Sequence, residues 1–222
     1  MRKFAEIERI AADRKGGPDK LGAVLVQPLD PAALAAVPLP TWLEAMAKAI
    51  FQAGFNWRVI DAKWEGFREA FRGFDPGILA FWHDEHIDAL LKDTRIVRNG
   101  QKISAVLENA RFLSALDEET GNASRQLAEW PVEDHAGLLE LFATRGSRLG
   151  GNTGQRVCRM VGRDSYVLSR DVVKRLVEEG VVDGPPTSKS AMKRVQAAFN
   201  AWRGESGRPL AQISQILAMS ID

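Results

Sequence analysis

Phe51-Gln-Ala-Gly-Phe-Asn-Trp57 decides how this chain is read. An apolar stripe at Leu43, Met46, Ala47, Ile50 and Phe51 runs into it with helical spacing, and Gly54 supplies a stop. Upstream, Pro40-Thr41-x-x-Glu44 has the form of a capping box, so a helix is expected over about 41–53. Beyond its end, a short turn sets two aromatic side chains, Phe55 and Trp57, beside two amides, Gln52 and Asn56, which carry both donors and acceptors.

Outward from this turn the periodicity stays helical, and few alternating segments are long enough for strands. Trp64, Phe67, Ala70 and Phe71 mark a second helix that Gly73 ends, and Asp75-Pro76 starts a short one through a cap and an N1 proline. Asp84 is the expected cap of the next, with Ile87, Leu90 and Leu91 facing in. Asn99 caps a longer helix with Ile103, Val106, Leu107, Ala110 and Leu113 inward. Further helices are expected at about 123–130, 133–145, 153–162, 170–179, 188–203 and 209–219. The proline-rich 15–40 region reads as a loose connection. The fold class is therefore all-α.

Composition narrows the function classes. With 222 residues, 45% hydrophobic, the chain can bury a real core. No apolar run approaches the roughly 20 residues of a membrane span, and Met1-Arg-Lys-Phe-Ala-Glu-Ile-Glu has acidic residues where a signal peptide is apolar. Cytoplasmic residence is the expectation. Cys158 is the one cysteine, which excludes intramolecular disulfides and cysteine-rich metal sites. His83 and His86 lack a third ligand for zinc, so surface or cap roles are expected and no metal or cofactor is predicted.

Net charge is only +1, so any case for a polyanionic partner rests on local clustering. Between Ala143 and Arg163 stand five arginines (145, 148, 156, 159, 163) and no acid. They bracket Leu149-Gly-Gly-Asn-Thr-Gly154, a glycine-rich turn between two predicted helices, where backbone N–H groups at a helix start favour an anion. An ordinary helix–helix turn with solvated arginines is the plain alternative.

The run from Phe51 to Trp57, together with Lys63-Trp-Glu-Gly-Phe-Arg68, Phe74-Asp-Pro76, Ile96-Val-Arg-Asn99, Lys102-Ile103 and Asn109-Ala110, resembles the Tag-type 3-methyladenine DNA glycosylase I family. The chain looks like a divergent member of the helix-hairpin-helix DNA glycosylase superfamily. The resemblance covers roughly 40–175 and implies a two-lobed helical bundle. A segment 1–39 would pack with a C-terminal lobe at 176–222, around a helical barrel at 40–175 whose hairpin lies at about 146–154. It implies a monofunctional hydrolase of base excision repair that cleaves the N-glycosidic bond of an alkylated purine such as 3-methyladenine. The expected partner is duplex DNA containing a damaged base, with no membrane, a monomeric protein, and nucleoid association when on DNA.

By the same resemblance Phe51, Gln52, Asn56 and Trp57 form the base pocket and Phe55 is the wedge filling the gap left by a flipped nucleotide. Arg98, Asn99, Lys102, Arg148, Gly150, Gly151, Asn152, Thr153 and Gly154 would hold phosphates. For Phe51 and Trp57 plain core packing is the alternative, and for Asn99 it is capping. The family's base-recognising glutamate aligns with Ala49, its zinc clasp has no counterpart, and the superfamily's usual aspartate aligns with Ser169 in Tyr166-Val-Leu-Ser-Arg-Asp-Val172. Ser169 also suits an N-cap, which leaves Asp171 as the candidate catalytic acid. A non-catalytic DNA- or lesion-binding protein that keeps the scaffold is the rival expectation.

Overall fold

The computed structural model describes residues 1–221. Its helices are α1 (Phe4–Lys15), α2 (Pro18–Gly22), α3 (Pro31–Ala35), α4 (Leu39–Gln52), α5 (Trp57–Ala62), α6 (Trp64–Ala70), α7 (Pro76–Leu79) and α8 (Asp84–Lys92). They continue with α9 (Gly100–Thr120), α10 (Ala123–Ala128), α11 (His135–Arg145), α12 (Asn152–Met160), α13 (Arg170–Glu178), α14 (Lys189–Ser206) and α15 (Leu210–Met219). There is no strand among the described residues, and the fold is all-α.

Two compact units divide the chain. One comprises Met1–Leu29, Pro131–Gly137 and Gly162–Asp222, and the other Asp30–Trp130 and Leu138–Val161. Residues 30–39 thus fall in the second unit and 162–175 in the first.

The second unit is organised by α4, which packs against both α9 and α12. Asn99 caps α9 by accepting from the Lys102 N–H at 3.1 Å, and Ile103, Val106, Leu107, Ala110 and Leu113 are all buried as their spacing predicts. Rings of Trp64, Phe67, Phe71 and Phe74 stack successively at centroid distances of 5.0–6.2 Å, and Phe51 meets Phe67 edge-on at 4.6 Å. These rings are core. Asp75 caps α7 by accepting from the Gly77 N–H at 2.8 Å.

Several local expectations are corrected. The capping box at Thr41 and Glu44 does not form: α4 starts earlier, behind Pro38, and the Glu44 carboxylate accepts from Trp64 Nε1 and Arg68 Nε, both at 2.7 Å. An indole N–H and a guanidinium from a neighbouring helix outcompete the local amide. Asp84 sits at the first helical position of α8, where His86 Nδ1 accepts from the His83 N–H at 3.3 Å. Leu91 is exposed rather than inward. The 15–40 region contains α2 and α3, each with a proline at its start, where a missing N–H costs nothing.

In the first unit α15 packs against α1 and α13, and Val195, Phe199 and Trp202 of α14 are buried as predicted. Arg175 is buried among partners: it donates to Ser220 Oγ at 2.8 Å and to Glu178 at 2.9 Å, and Glu179 lies at 3.5 Å. Glu179 in turn accepts from the Arg2 backbone N–H and guanidinium at 2.7 and 2.6 Å.

Candidate nucleic-acid interface

The turn after α4 is held by polar contacts. Trp57 Nε1 donates to the Gln52 carbonyl at 3.1 Å, fixing the indole back onto the helix it follows. Asn56 caps α5, its side chain accepting from the Arg58 N–H at 3.0 Å. Lys102 Nζ donates to the carbonyls of Phe51 at 3.1 Å and Ala53 at 2.7 Å. A cation there meets the orphan carbonyls and negative end of α4. Burial, and after it the charge of Arg148, holds the Lys102 ammonium below its ordinary pKa.

Phe51 is fully buried, so it takes the core role. Trp57 is 49% exposed and Phe55 44% exposed, so this short turn presents two large rings to solvent. Gln52 is buried, and both ends of its amide are engaged: Nε2 donates to Asp61 Oδ1 at 3.2 Å and Oε1 accepts from Arg156 at 3.1 Å. Asp61 also pairs with Lys48 at 3.0 Å.

Arg156 comes from α12 and lays its guanidinium carbon 3.7 Å from the centre of the Trp57 ring. Burial alone lowers its pKa. Among the described residues no carboxylate pairs with it. Position 49 is a buried alanine.

The turn between α11 and α12 is gripped by α9. Buried Asn109 accepts from the Ser147 N–H at 2.8 Å and donates to the Ser147 carbonyl at 3.0 Å, a two-point clasp. Gly154 is required because a Cβ there would stand 2.6 Å from the Leu149 carbonyl oxygen, which accepts the Gly154 N–H at 3.0 Å. Gly151 caps α12 at φ +57, in the left-handed region. Arg148 also has φ +57, a conformation that costs a non-glycine residue about 1 kcal/mol or more. Its guanidinium reaches the Gln101 side chain. Gly150 and Asn152 are exposed and Thr153 half-buried, its N–H donating to the Gly150 carbonyl at 3.3 Å. Arg98 is exposed beside Asn99.

The local excess of five arginines is reduced by tertiary structure. Arg145 is neutralised by Glu119, with N–O distances of 2.6 and 2.7 Å, and Arg163 is buried in the other unit. Arg148 and Arg156 instead meet the neutral side chains of Gln101 and Gln52. Neither Arg156 nor its neighbour Asp61 was among the residues predicted for a base pocket, because the pairing of α12 with the α4–α5 turn is not visible in local sequence.

Asp171 is exposed in the first turn of α13, in the first unit, and Ser169 caps that helix by accepting from the Val172 N–H at 3.3 Å. A cleft of about 590 Å³ elsewhere in the second unit is lined by Arg68, Glu69, Trp82, His86, Asp93 and Arg95. It contains none of the predicted residues, and Arg68 and Arg95 are already paired with acids. No group of three or more metal-ligating side chains occurs among the described residues, and no described helix is long and apolar enough to cross a membrane.

Residues 41–140 match the sequence model of a family described as methyladenine glycosylase. The chain is 34% identical over 88 residues to a DNA-3-methyladenine glycosylase of Haemophilus influenzae, covering 40% of this chain and 46% of that protein. It is 38% identical over 60 residues to DNA-3-methyladenine glycosylase 1 of Escherichia coli, 27% of this chain and 32% of that one. A crystal structure of 3-methyladenine DNA glycosylase I is similar with a TM-score of 0.45 at 24% identity, over 54% of this chain and 74% of that one. A solution structure of 3-methyladenine DNA glycosylase I gives 0.46 at 22% identity, over 56% and 74%. The similarity is confined to the matched segment, and the chain spans less than half the length of the curated relatives it matches.

Proposed function

We propose that this protein is a monofunctional DNA glycosylase that hydrolyses the N-glycosidic bond of an alkylated purine, 3-methyladenine being the substrate its relatives' names suggest. The observation that carries the reading is the half-exposed Trp57 on a braced turn with Phe55 and Lys102, within the segment that matches the methyladenine glycosylase family, with Arg156 from beyond that segment stacked on its ring. A base taken out of the stack needs an aromatic face to rest on, a side chain to fill the gap it leaves, and cations to hold the distorted backbone. Trp57, Phe55 and the cations of α9 and α12 are assigned those parts. The α11–α12 turn, with Gly150, Gly151, Asn152, Thr153 and Gly154 at a helix start, is assigned to phosphate, as are Arg98, Asn99 and Lys102.

An alkylated purine leaves readily because it departs as a neutral base from a cationic nucleoside. Water then adds to C1′ of the sugar, and the electron pair of the broken bond goes to the base nitrogen. Asp171, exposed on the first unit, is the candidate acid from the sequence, and substitution tests whether it takes any part in the reaction. Asp171→Asn should lower the excision rate while DNA affinity holds; an unchanged rate removes it from the mechanism.

The experiment that tests the reading is release of free base from methylated duplex DNA, run beside binding to undamaged and abasic duplexes. Release of 3-methyladenine supports the glycosylase. Tight binding without release supports a second reading, a non-catalytic lesion binder, which buried Ala49 and the capping role of Ser169 favour. Neither binding nor release removes DNA from the account.

A further inference from the structure

The guanidinium of Arg156 occupies the layer directly over the Trp57 ring. A carbon 3.7 Å from the ring centre is at the separation of stacked planar groups, so a base cannot rest on this face while the guanidinium does. Arg156 is an unusual arginine in two further respects. It has no carboxylate partner among the described residues, although a partly buried guanidinium ordinarily finds one. Its one side-chain partner is the Gln52 amide, a neutral group whose other end is committed to Asp61. The contact is thus held by cation–π attraction and one hydrogen bond, both easily exchanged.

We propose that Arg156 is an affinity-setting place-holder, a planar cation seated where a planar cationic base is to stack. The inference rests on Trp57 being the stacking surface of the proposed glycosylase. A flipped base must displace the guanidinium and forfeit its attraction to the indole. A base that carries formal positive charge regains the same attraction, because the ring's negative face interacts with either cation; a neutral base of the same shape regains stacking only. The displaced guanidinium is released toward water or a phosphate, where it is worth more to DNA affinity than over the ring. The displacement costs every base the same, so the preference for a cation comes from the ring itself, while the place-holder lowers all affinities and leaves a neutral base, with stacking alone to offset the cost, poorly bound; none of this needs an acid at position 49. The magnitude follows from the strength of a partly desolvated cation–π contact, roughly twofold to thirtyfold in relative affinity.

The test uses two small probes that lack DNA, so that phosphate contacts do not enter: 3,9-dimethyladeninium, permanently cationic, and neutral 9-methyladenine. Binding to the full chain is followed by calorimetry and by the part of the tryptophan fluorescence change that Trp57→Phe removes. Wild type should prefer the cation, Arg156→Ala should bind 9-methyladenine roughly twofold to thirtyfold more tightly than wild type, and Arg156→Lys should lie between. Weaker binding of both probes to Arg156→Ala makes Arg156 a wall of the pocket and overturns the proposal. Unchanged binding means that the base does not use this ring face, which also overturns it. Arg156→Met, which keeps bulk without charge, guards against collapse of the site and should still bind 9-methyladenine more tightly than wild type, with the preference for the cation not reduced. Base release from methylated DNA by wild type, measured in parallel, tells failure of the glycosylase reading from failure of the place-holder alone.

Discussion

Two arginines, Arg175 in the first unit and Arg156 in the second, show opposite uses of a guanidinium taken partly out of water. Arg175 is 4% exposed and saturated with partners: two glutamates and Ser220, with Arg2 closing the set on Glu179. Nothing there remains for a ligand. Arg156 is only half-buried, yet it rests on an indole and a single amide oxygen with no acid. Burial with compensation makes structure. Burial without it leaves a group poised to exchange partners.

The contrast is broken or sharpened first by stability. Arg175→Met should cost about 3 kcal/mol in urea denaturation, since it removes buried hydrogen bonds to Ser220 and leaves buried Glu179 to Arg2 alone. Arg156→Met should cost about 2 kcal/mol or less, the range of a partly desolvated cation–π contact. Equal losses would abolish the distinction.

Next comes the turn that positions α12. Gly154→Ala forces a Cβ against the Leu149 carbonyl oxygen, backbone that cannot swing aside, and should cost about 1–3 kcal/mol in thermal or urea unfolding. DNA affinity should fall with it if the turn holds phosphate. Loss of stability with unchanged affinity would take the turn out of the interface.

Paired and unpaired arginines of the same segment should then separate on DNA. Arg148→Ala is expected to weaken binding to any duplex and reduce the slope of log affinity against log salt by about 1. Arg145→Ala, whose partner is Glu119 in the free protein, should change that slope far less. The readout is a salt titration of binding to an undamaged duplex.

The smallest effect concerns acid. The side-chain hydrogen bonds from Arg95 and Arg145 hold Asp93 and Glu119 below their ordinary values of 3.8 and 4.5. A depressed carboxylate adds stability above its unfolded value and loses it as pH falls through the folded one. Stability should therefore decline below about pH 4.5, and Glu119→Gln should flatten the part of that decline near Glu119's range, read from unfolding curves between pH 3 and 6. Arg156, with no carboxylate, should keep its seat on Trp57 across that range, seen as unchanged Trp57 fluorescence.

Much of the fold was legible because local signals and tertiary packing agree. The Asn99 cap, the five inward positions of α9, the Asp75-Pro76 start and the break after the helix expected at 133–145 all depend on neighbours a few residues away. Legibility failed where a distant partner competed. Glu44 looked like a cap and instead serves Trp64 and Arg68. The five arginines looked like one patch, yet Glu119 takes Arg145 and the first unit buries Arg163. The turn from Phe51 to Trp57 was readable as a feature, but the arrival of Arg156 on its aromatic ring depends on α12 packing against α4, which no local pattern announces.

The most direct test of the central claim is release of free 3-methyladenine from methylated duplex DNA by wild type and Trp57→Ala side by side, with both shown to be folded. The account predicts release by wild type and its loss, by a factor of ten or more, when the stacking surface is removed, since base–aromatic stacking is worth about 1–3 kcal/mol. No release by wild type, or release that Trp57→Ala leaves unchanged, would contradict it.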